Sequence, residues 1–145
     1  MKQRKGVDKK LDDAWSKLVK LRAGMQCEYC GTRTKQLHSH HIFSRSKKST
    51  RWDVMNGICL CAGHHVLNSK FSAHKTPTDF TYWFEGYKGK EFIEMLTIKA
   101  NQTSKLHPFE KELLLKELQK EINQYEQSSN GDCNGNRKLA KTPKR

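Results

Sequence analysis

The sequence predicts a small α+β protein: two short strands and a helix gathered around metal-ligating side chains, with further α-helices on either side. Three observations predict it. Four of the five cysteines and five of the seven histidines fall between Cys27 and His65. Apolar residues make up only 34% of the 145-residue chain and charged residues 30%, so one domain with a modest core is expected. A core that small needs a staple, and bound metal is one. Finally, apolar residues recur at helical spacing both before and after the cluster.

Leu11, Ala14, Trp15, Leu18 and Val19 predict a helix over 8–23, with Gly24 as its C-terminal cap. Leu37 to Ile42 reads as one strand and Gly57 to Leu60 as a second. Ala62 or Gly63 through about Phe71 reads as a short helix. Between the strands, Ser44 to Arg51 is a polar loop carrying Arg45, Lys47, Lys48 and Arg51 with no acid. Thr76-Pro77-Thr78-Asp79 signals a helix start. Phe80, Trp83, Phe84 and Tyr87 then keep helical spacing, with Gly86 and Gly89 expected to break the run. Another helix is predicted over 90–101, with Phe92, Met95 and Leu96 inward. Pro108 suits the first turn of a last helix, whose apolar stripe is Phe109, Leu114, Leu118, Ile122 and Tyr125. The chain thus divides into a basic N-terminal helix (1–24), a metal-bearing core (25–75), a helical extension (76–127) and a basic tail expected to be disordered (128–145), where Cys133 stands alone.

The charge balance narrows the partners. A net charge of +13 is large for this length and points to an acidic polymer, nucleic acid first and a membrane surface second. No apolar run approaches a membrane span. The N-terminus lacks the apolar stretch of a secretory signal, so a cytoplasmic location is expected. Thiols there stay reduced and read as metal ligands rather than disulfides.

Cys27 and Cys30 form a knuckle with the two-residue gap common in tetrahedral zinc sites, and Cys61 and His64 repeat it. Together they predict a closed structural Zn2+ site, stabilising the fold by roughly 10 kcal/mol or more. Cys59 is a rival for Cys61; the knuckle spacing favours Cys61, and leaves Cys59 as a small buried apolar residue. His40 and His41 are adjacent, so in a strand they point to opposite faces and cannot easily share one ion. One would bind metal and the other act as a base. His65 can supply a second ligand, leaving positions open for water and a phosphate oxygen. A neutral imidazole, with an ordinary pKa of about 6.5, can take a proton from water. Asn56 would orient the loop or the base, or else serve only as a turn residue before Gly57.

The ordered set Cys27-Glu28-Tyr29-Cys30, His40-His41-Ile42, Asn56 and Cys61-Ala62-Gly63-His64-His65 resembles the HNH endonucleases, the ββα-metal nucleases related to treble-clef folds. The resemblance covers about 27–75 and is to the zinc-knuckle branch. It implies a DNA endonuclease in which His41 is the general base, His40 and His65 hold a catalytic Mg2+, Mn2+ or Ni2+, and Asn56 positions the catalytic loop. Three departures stand out. Many members carry Asp at the place of His40, a Cys-x-x-Cys second knuckle, and Pro where Phe43-Ser44 stands. Imidazole in place of carboxylate at His40 would shift preference toward transition ions. Arg45, Lys47, Lys48 and Arg51 would contact phosphates, which position rather than specify. The helical layout loosely resembles small phage HNH proteins, which implies recombination or DNA-packaging proteins as partners. A zinc-stabilised module that binds DNA without cutting it, or a nuclease subunit silent until recruited, are the competing readings. Oligomeric state is left open.

Overall fold

The computed structural model describes residues 2–131, apart from the side chains of 2–5, 130 and 131. Helix α1 spans Lys2–Arg22, strand β1 Leu37–His41, strand β2 Gly57–Cys61, helix α2 Pro77–Lys88, helix α3 Lys90–Ala100 and helix α4 Pro108–Gly131. Among the described residues the architecture is mixed, with four α-helices and one two-stranded antiparallel sheet, as expected of an α+β chain. Among the described residues no helix is long and apolar enough to cross a membrane.

The first helix follows its apolar arc. Leu11, Ala14, Trp15, Leu18 and Val19 are all buried and join one apolar cluster with Ile58, Cys59 and Leu60 of β2 and Leu118 and Ile122 of α4. Gly24, at φ +66, ends the helix: its N–H donates to the Leu21 carbonyl while the Met25 N–H donates to that of Lys20. A left-handed glycine there satisfies carbonyls that the helix leaves open.

The sheet pairs Leu37 with Cys61, Ser39 with Cys59 and His41 with Gly57. Ser39 Oγ donates to the Ser16 carbonyl at 2.7 Å, so the Ser39 and His41 face lies against α1. Strand alternation sends His38 and His40 to the other face. Gly57 permits the close approach of α1. A Cβ at that position would sit 2.9 Å from Trp15 Cζ2 and closer still to Val19 Cγ2.

Several sequence expectations are corrected. The helix expected from Ala62 or Gly63 to Phe71 is one wide turn, Gly63–Leu67, closed by the Asn68 N–H on the Gly63 carbonyl. Asn68 stops it. Its backbone is extended, and its side chain accepts from the Lys70 N–H at 2.8 Å, so a turn replaces further helix. Gly86 does not break α2, which runs through it; Gly89, at φ +91, does. Met95 is 53% exposed, and Phe109 and Tyr125 lie on the outer side of α4, because helical spacing cannot say which arc a neighbour covers. Residues 128–131 continue α4 rather than beginning a tail. The rest of the expected tail, with Cys133, lies outside the described residues.

Candidate metal centres

Two groups of side chains, each close enough to hold a metal ion, lie on either side of the wide turn. The first is Cys27, Cys30, Cys61 and His64, whose ligand atoms all lie within 4.8 Å of one another. The knuckle is built locally. The Gly31 N–H donates to the Cys27 carbonyl at 2.7 Å and the Cys27 N–H to the Thr32 carbonyl at 2.9 Å, with Gly31 at φ +72 making the turn. Cys61 Sγ lies 3.2 Å from His64 Nδ1. Three thiols and an imidazole form a donor set suited to Zn2+. Burial alone would raise the Cys27 thiol. The backbone N–H groups of Cys30, Cys61 and Tyr29 outweigh it and bring the thiol below its usual value, toward the thiolate a metal needs. Tyr29 stacks on Phe71 at 4.1 Å and shields His64 from one side.

Cys59 stands outside this group. It is fully buried, and burial pushes its thiol up to about 12, with the charge of Glu28 adding to the effect. Its backbone serves the knuckle instead: its carbonyl accepts from the Glu28 N–H, and its N–H donates to Glu28 Oε2, both at 2.8 Å.

The second group is His40, His65 and His74, again with ligand nitrogens within 4.8 Å of one another. His40 projects from β1 and His65 from the wide turn. His74 was not anticipated. It arrives because the Ala73 and His74 N–H groups donate to the His64 and His65 carbonyls at 2.9 and 3.1 Å, folding the chain back over the turn. His65 Nε2 lies 3.1 Å from His74 Nε2, and Phe80 meets the His40 ring edge-on at 5.4 Å. Burial, together with the neighbouring imidazoles, lowers His40 to about 3 and His65 to about 4, so both are neutral near pH 7. Three imidazoles so placed can hold a divalent transition ion.

His41 lies against the opposite face of β1. Its ring stacks on Trp15 with centroids 3.7 Å apart, and its Nε2 donates to the Arg51 carbonyl at 2.8 Å. A carbonyl can only accept, so Nε2 carries the hydrogen and Nδ1 of the neutral ring is left with its lone pair. Burial lowers the pKa of His41, the Arg51 carbonyl partly opposing this. His40, His41, His65 and His74 all line one open cleft of about 730 Å³, with Arg45 and Phe80 on its rim.

Asn56 is fully buried, and its side chain closes the loop between the strands. Oδ1 accepts from the Phe43 N–H at 2.7 Å, while Nδ2 donates to the Phe43 and Thr50 carbonyls at 2.9 and 3.0 Å. This is a clamp rather than a two-residue hairpin turn. The loop cations are partly engaged. Arg51 makes two bonds to Asp12, at 3.1 and 2.7 Å, Arg45 reaches the same carboxylate at 2.8 Å, and Lys47 reaches Asn101 at 3.4 Å. Lys48 is exposed at the loop surface. Trp52 also donates to Asp12, at 2.8 Å. Asp12 was not anticipated either, because nothing local marks it out from Asp8 and Asp13 on the same lysine-rich helix.

No known protein family, curated protein or solved structure matches the chain.

Proposed function

We propose that the chain is a metal-dependent DNA endonuclease of the HNH, ββα-metal type. The observation that carries this reading is the arrangement about one cleft: a base with its free nitrogen selected by a backbone carbonyl, beside three imidazoles able to hold an ion. In this reading, Cys27, Cys30, Cys61 and His64 hold a structural Zn2+, and β1, β2 and the wide turn form the ββα-metal core with its helix reduced to one turn.

Hydrolysis of a phosphodiester needs a deprotonated water, charge neutralisation at phosphorus and a stabilised leaving oxygen. A divalent ion supplies the last two when bound. His40, His65 and His74 would hold it. His41 takes the water proton at Nδ1; Trp15 and the Arg51 carbonyl keep the ring in place while it does so. Asn56 holds the loop from Phe43 to Thr50 so that the Arg51 carbonyl stays under His41. The net charge of +13 draws the polyanion, and Arg45, Lys47, Lys48 and Arg51 lie along the cleft or the loop beside it.

The test is cleavage of supercoiled plasmid with Mg2+, Mn2+, Ni2+ or Zn2+. The expected result is nicking by the wild type and a loss of about 10²–10⁴-fold in His41→Ala, the range of a positioned base. Equal cleavage by His41→Ala would overturn its role. Tight DNA binding with no cleavage under any of these ions would overturn the enzyme reading in favour of a binding module.

A further inference from the structure

His38 takes no part in either ligand group, yet its Nδ1 lies 2.8 Å from Nδ1 of His65. The two rings meet nearly edge to face, at 84°, which brings the two nitrogens together and not the ring faces. At that distance one nitrogen must carry a hydrogen and the other must accept it. His65 has its other nitrogen, Nε2, turned to His74 Nε2 at 3.1 Å, which makes Nε2 the atom it would offer to an ion shared with His40 and His74. A neutral imidazole that gives the Nε2 lone pair to an ion carries its hydrogen on Nδ1. Among the described residues, the acceptor placed for that hydrogen is His38 Nδ1.

We propose that His38 is the positioning residue of the ion site: with an ion bound, its Nδ1 accepts the Nδ1–H of His65 and so supports the tautomer and ring orientation that present Nε2 to a divalent ion. This inference rests on the reading of His40, His65 and His74 as an ion site. The pair fits the general behaviour of metal-ligating histidines, whose second N–H is held by an acceptor that fixes the ring and raises its basicity. Here the acceptor is an uncharged imidazole, so the orientation is gained without adding negative charge to the site. Position 38 is suited to the task. It lies on the same strand face as His40, two residues away, so one strand delivers both a ligand and the support for another ligand. The opposite tautomer has His65 Nε2–H aimed at His74, which satisfies both rings but closes the site to an ion. His38 Nδ1 therefore serves both pairs, as donor in the ion-closed one and as acceptor in the ion-ready one, and it supports His65 when an ion enters. Ion entry then moves the His65 hydrogen from Nε2 to Nδ1, and the His38 hydrogen from Nδ1 to Nε2, through solvent and with no net proton release.

The experiment is titration calorimetry of a second equivalent of Zn2+ into protein already loaded with one. We compare the wild type with His38→Leu, His38→Asn and His65→Ala. Asn can place its side-chain oxygen close to where His38 has Nδ1, so it retains an acceptor; Leu does not. The expected result is a loss of about 10–100-fold in affinity for His38→Leu, with His38→Asn restored to within a few-fold of wild type. Wild-type affinity in His38→Leu, or equal weakening in both variants, overturns the proposal. Undiminished second-equivalent binding in His65→Ala overturns the ion-site reading itself, and this inference with it. If His38→Leu does not fold, the wild type decides the matter. Long-range nitrogen–proton NMR of the Zn2+-loaded protein should show His65 protonated on Nδ1 and His38 on Nε2, and any other pattern overturns the proposal.

Discussion

His41 hangs from Arg51: its Nε2 donates to the Arg51 carbonyl at 2.8 Å, while the Arg51 guanidinium grips Asp12 on α1. The base proposed here is therefore fixed from two directions, by the Trp15 ring beneath it and by a loop that α1 anchors. Burial holds His41 below the ordinary histidine value. A general base works only when deprotonated, so activity rises with pH through its pKa. The acid limb of the kcat/KM profile is expected below about pH 6.5, the unperturbed value. A limb at or above that value would show that another group titrates.

The Asp12 carboxylate should tie the fold to pH as well. Burial alone would raise its pKa, but the bonds from Arg51 and Trp52 and the charges of Arg51 and Arg45 bring it below the ordinary value. A depressed carboxylate stabilises the fold above the unfolded-state pKa of about 3.9 and loses that contribution as pH falls through the lower folded value. In Asp12→Asn, stability near pH 7 is expected to drop, with less further loss on acidification below about pH 4 than in the wild type. Chemical denaturation at a series of pH values reads both. An unchanged midpoint at pH 7 would mean that the Arg51 bonds contribute nothing.

The two half-buried histidines act in a higher window. His40 is held near 3 and His65 near 4, mainly by burial. Below about pH 6.5 the unfolded chain takes up protons that these rings refuse in the fold, so protein with no ion at this histidine group loses stability as pH falls from there toward the folded values. His40→Gln is expected to flatten that loss between about pH 6 and 4, the range in which the unfolded histidine is charged and the folded one is not. Melting temperature against pH, in protein carrying one equivalent of Zn2+ and no further divalent ion, is the measurement. A wild-type slope in His40→Gln would exclude the ring as its source.

How much of this was legible beforehand depends on how local each signal is. The knuckle is a repeated two-residue gap, and the structure brings Cys27, Cys30, Cys61 and His64 within ligand range of one another. The core arc of α1 was legible from the spacing of Leu11, Trp15 and Leu18 for the same reason. His74 was not, because it is placed by backbone bonds to His64 and His65 across an irregular segment that has no period. His38 looked like an ordinary strand position until the wide turn set His65 opposite it. Asp12 owes its place to Arg45, Arg51 and Trp52, more than thirty residues away. The arcs of α3 and α4 misled for a related reason. Met95 and Phe109 keep apolar spacing, yet the packed neighbours cover a different side.

Gly57 offers a test of how tightly α1 sets the sheet. A methyl group there would press into Trp15 and Val19, both buried and unable to swing away. Trp15 is also the platform for His41, so the strain would reach the base. Gly57→Ala is expected to cost about 1–3 kcal/mol, the usual range for overpacking, read as a lower urea midpoint. Cleavage should fall further than the loss of folded protein explains. A stability change under about 0.5 kcal/mol, the ordinary surface range, would mean that α1 can shift away from β2.

The sharpest contrast concerns the two neighbouring thiols on β2. Cys61 joins the group with His64, whereas Cys59 is sealed in the core with its thiol pushed up to about 12. A thiol that resists deprotonation is a poor metal ligand, since the thiolate is what binds. Cys61→Ser is therefore expected to lose the tightly held Zn2+ and most of the folded population, because a structural zinc of this kind carries about 10 kcal/mol or more of apparent folding energy. Exhaustive chelation of the wild type should give the same unfolded signal by circular dichroism. Cys59→Ala should keep one Zn2+ per chain by elemental analysis and lose only about 1 kcal/mol, the typical effect of a single substitution. The reverse pattern, with metal lost in Cys59→Ala and kept in Cys61→Ser, would move the fourth ligand two residues along the strand. It would also require Glu28, which binds the Cys59 backbone from both sides, to release it.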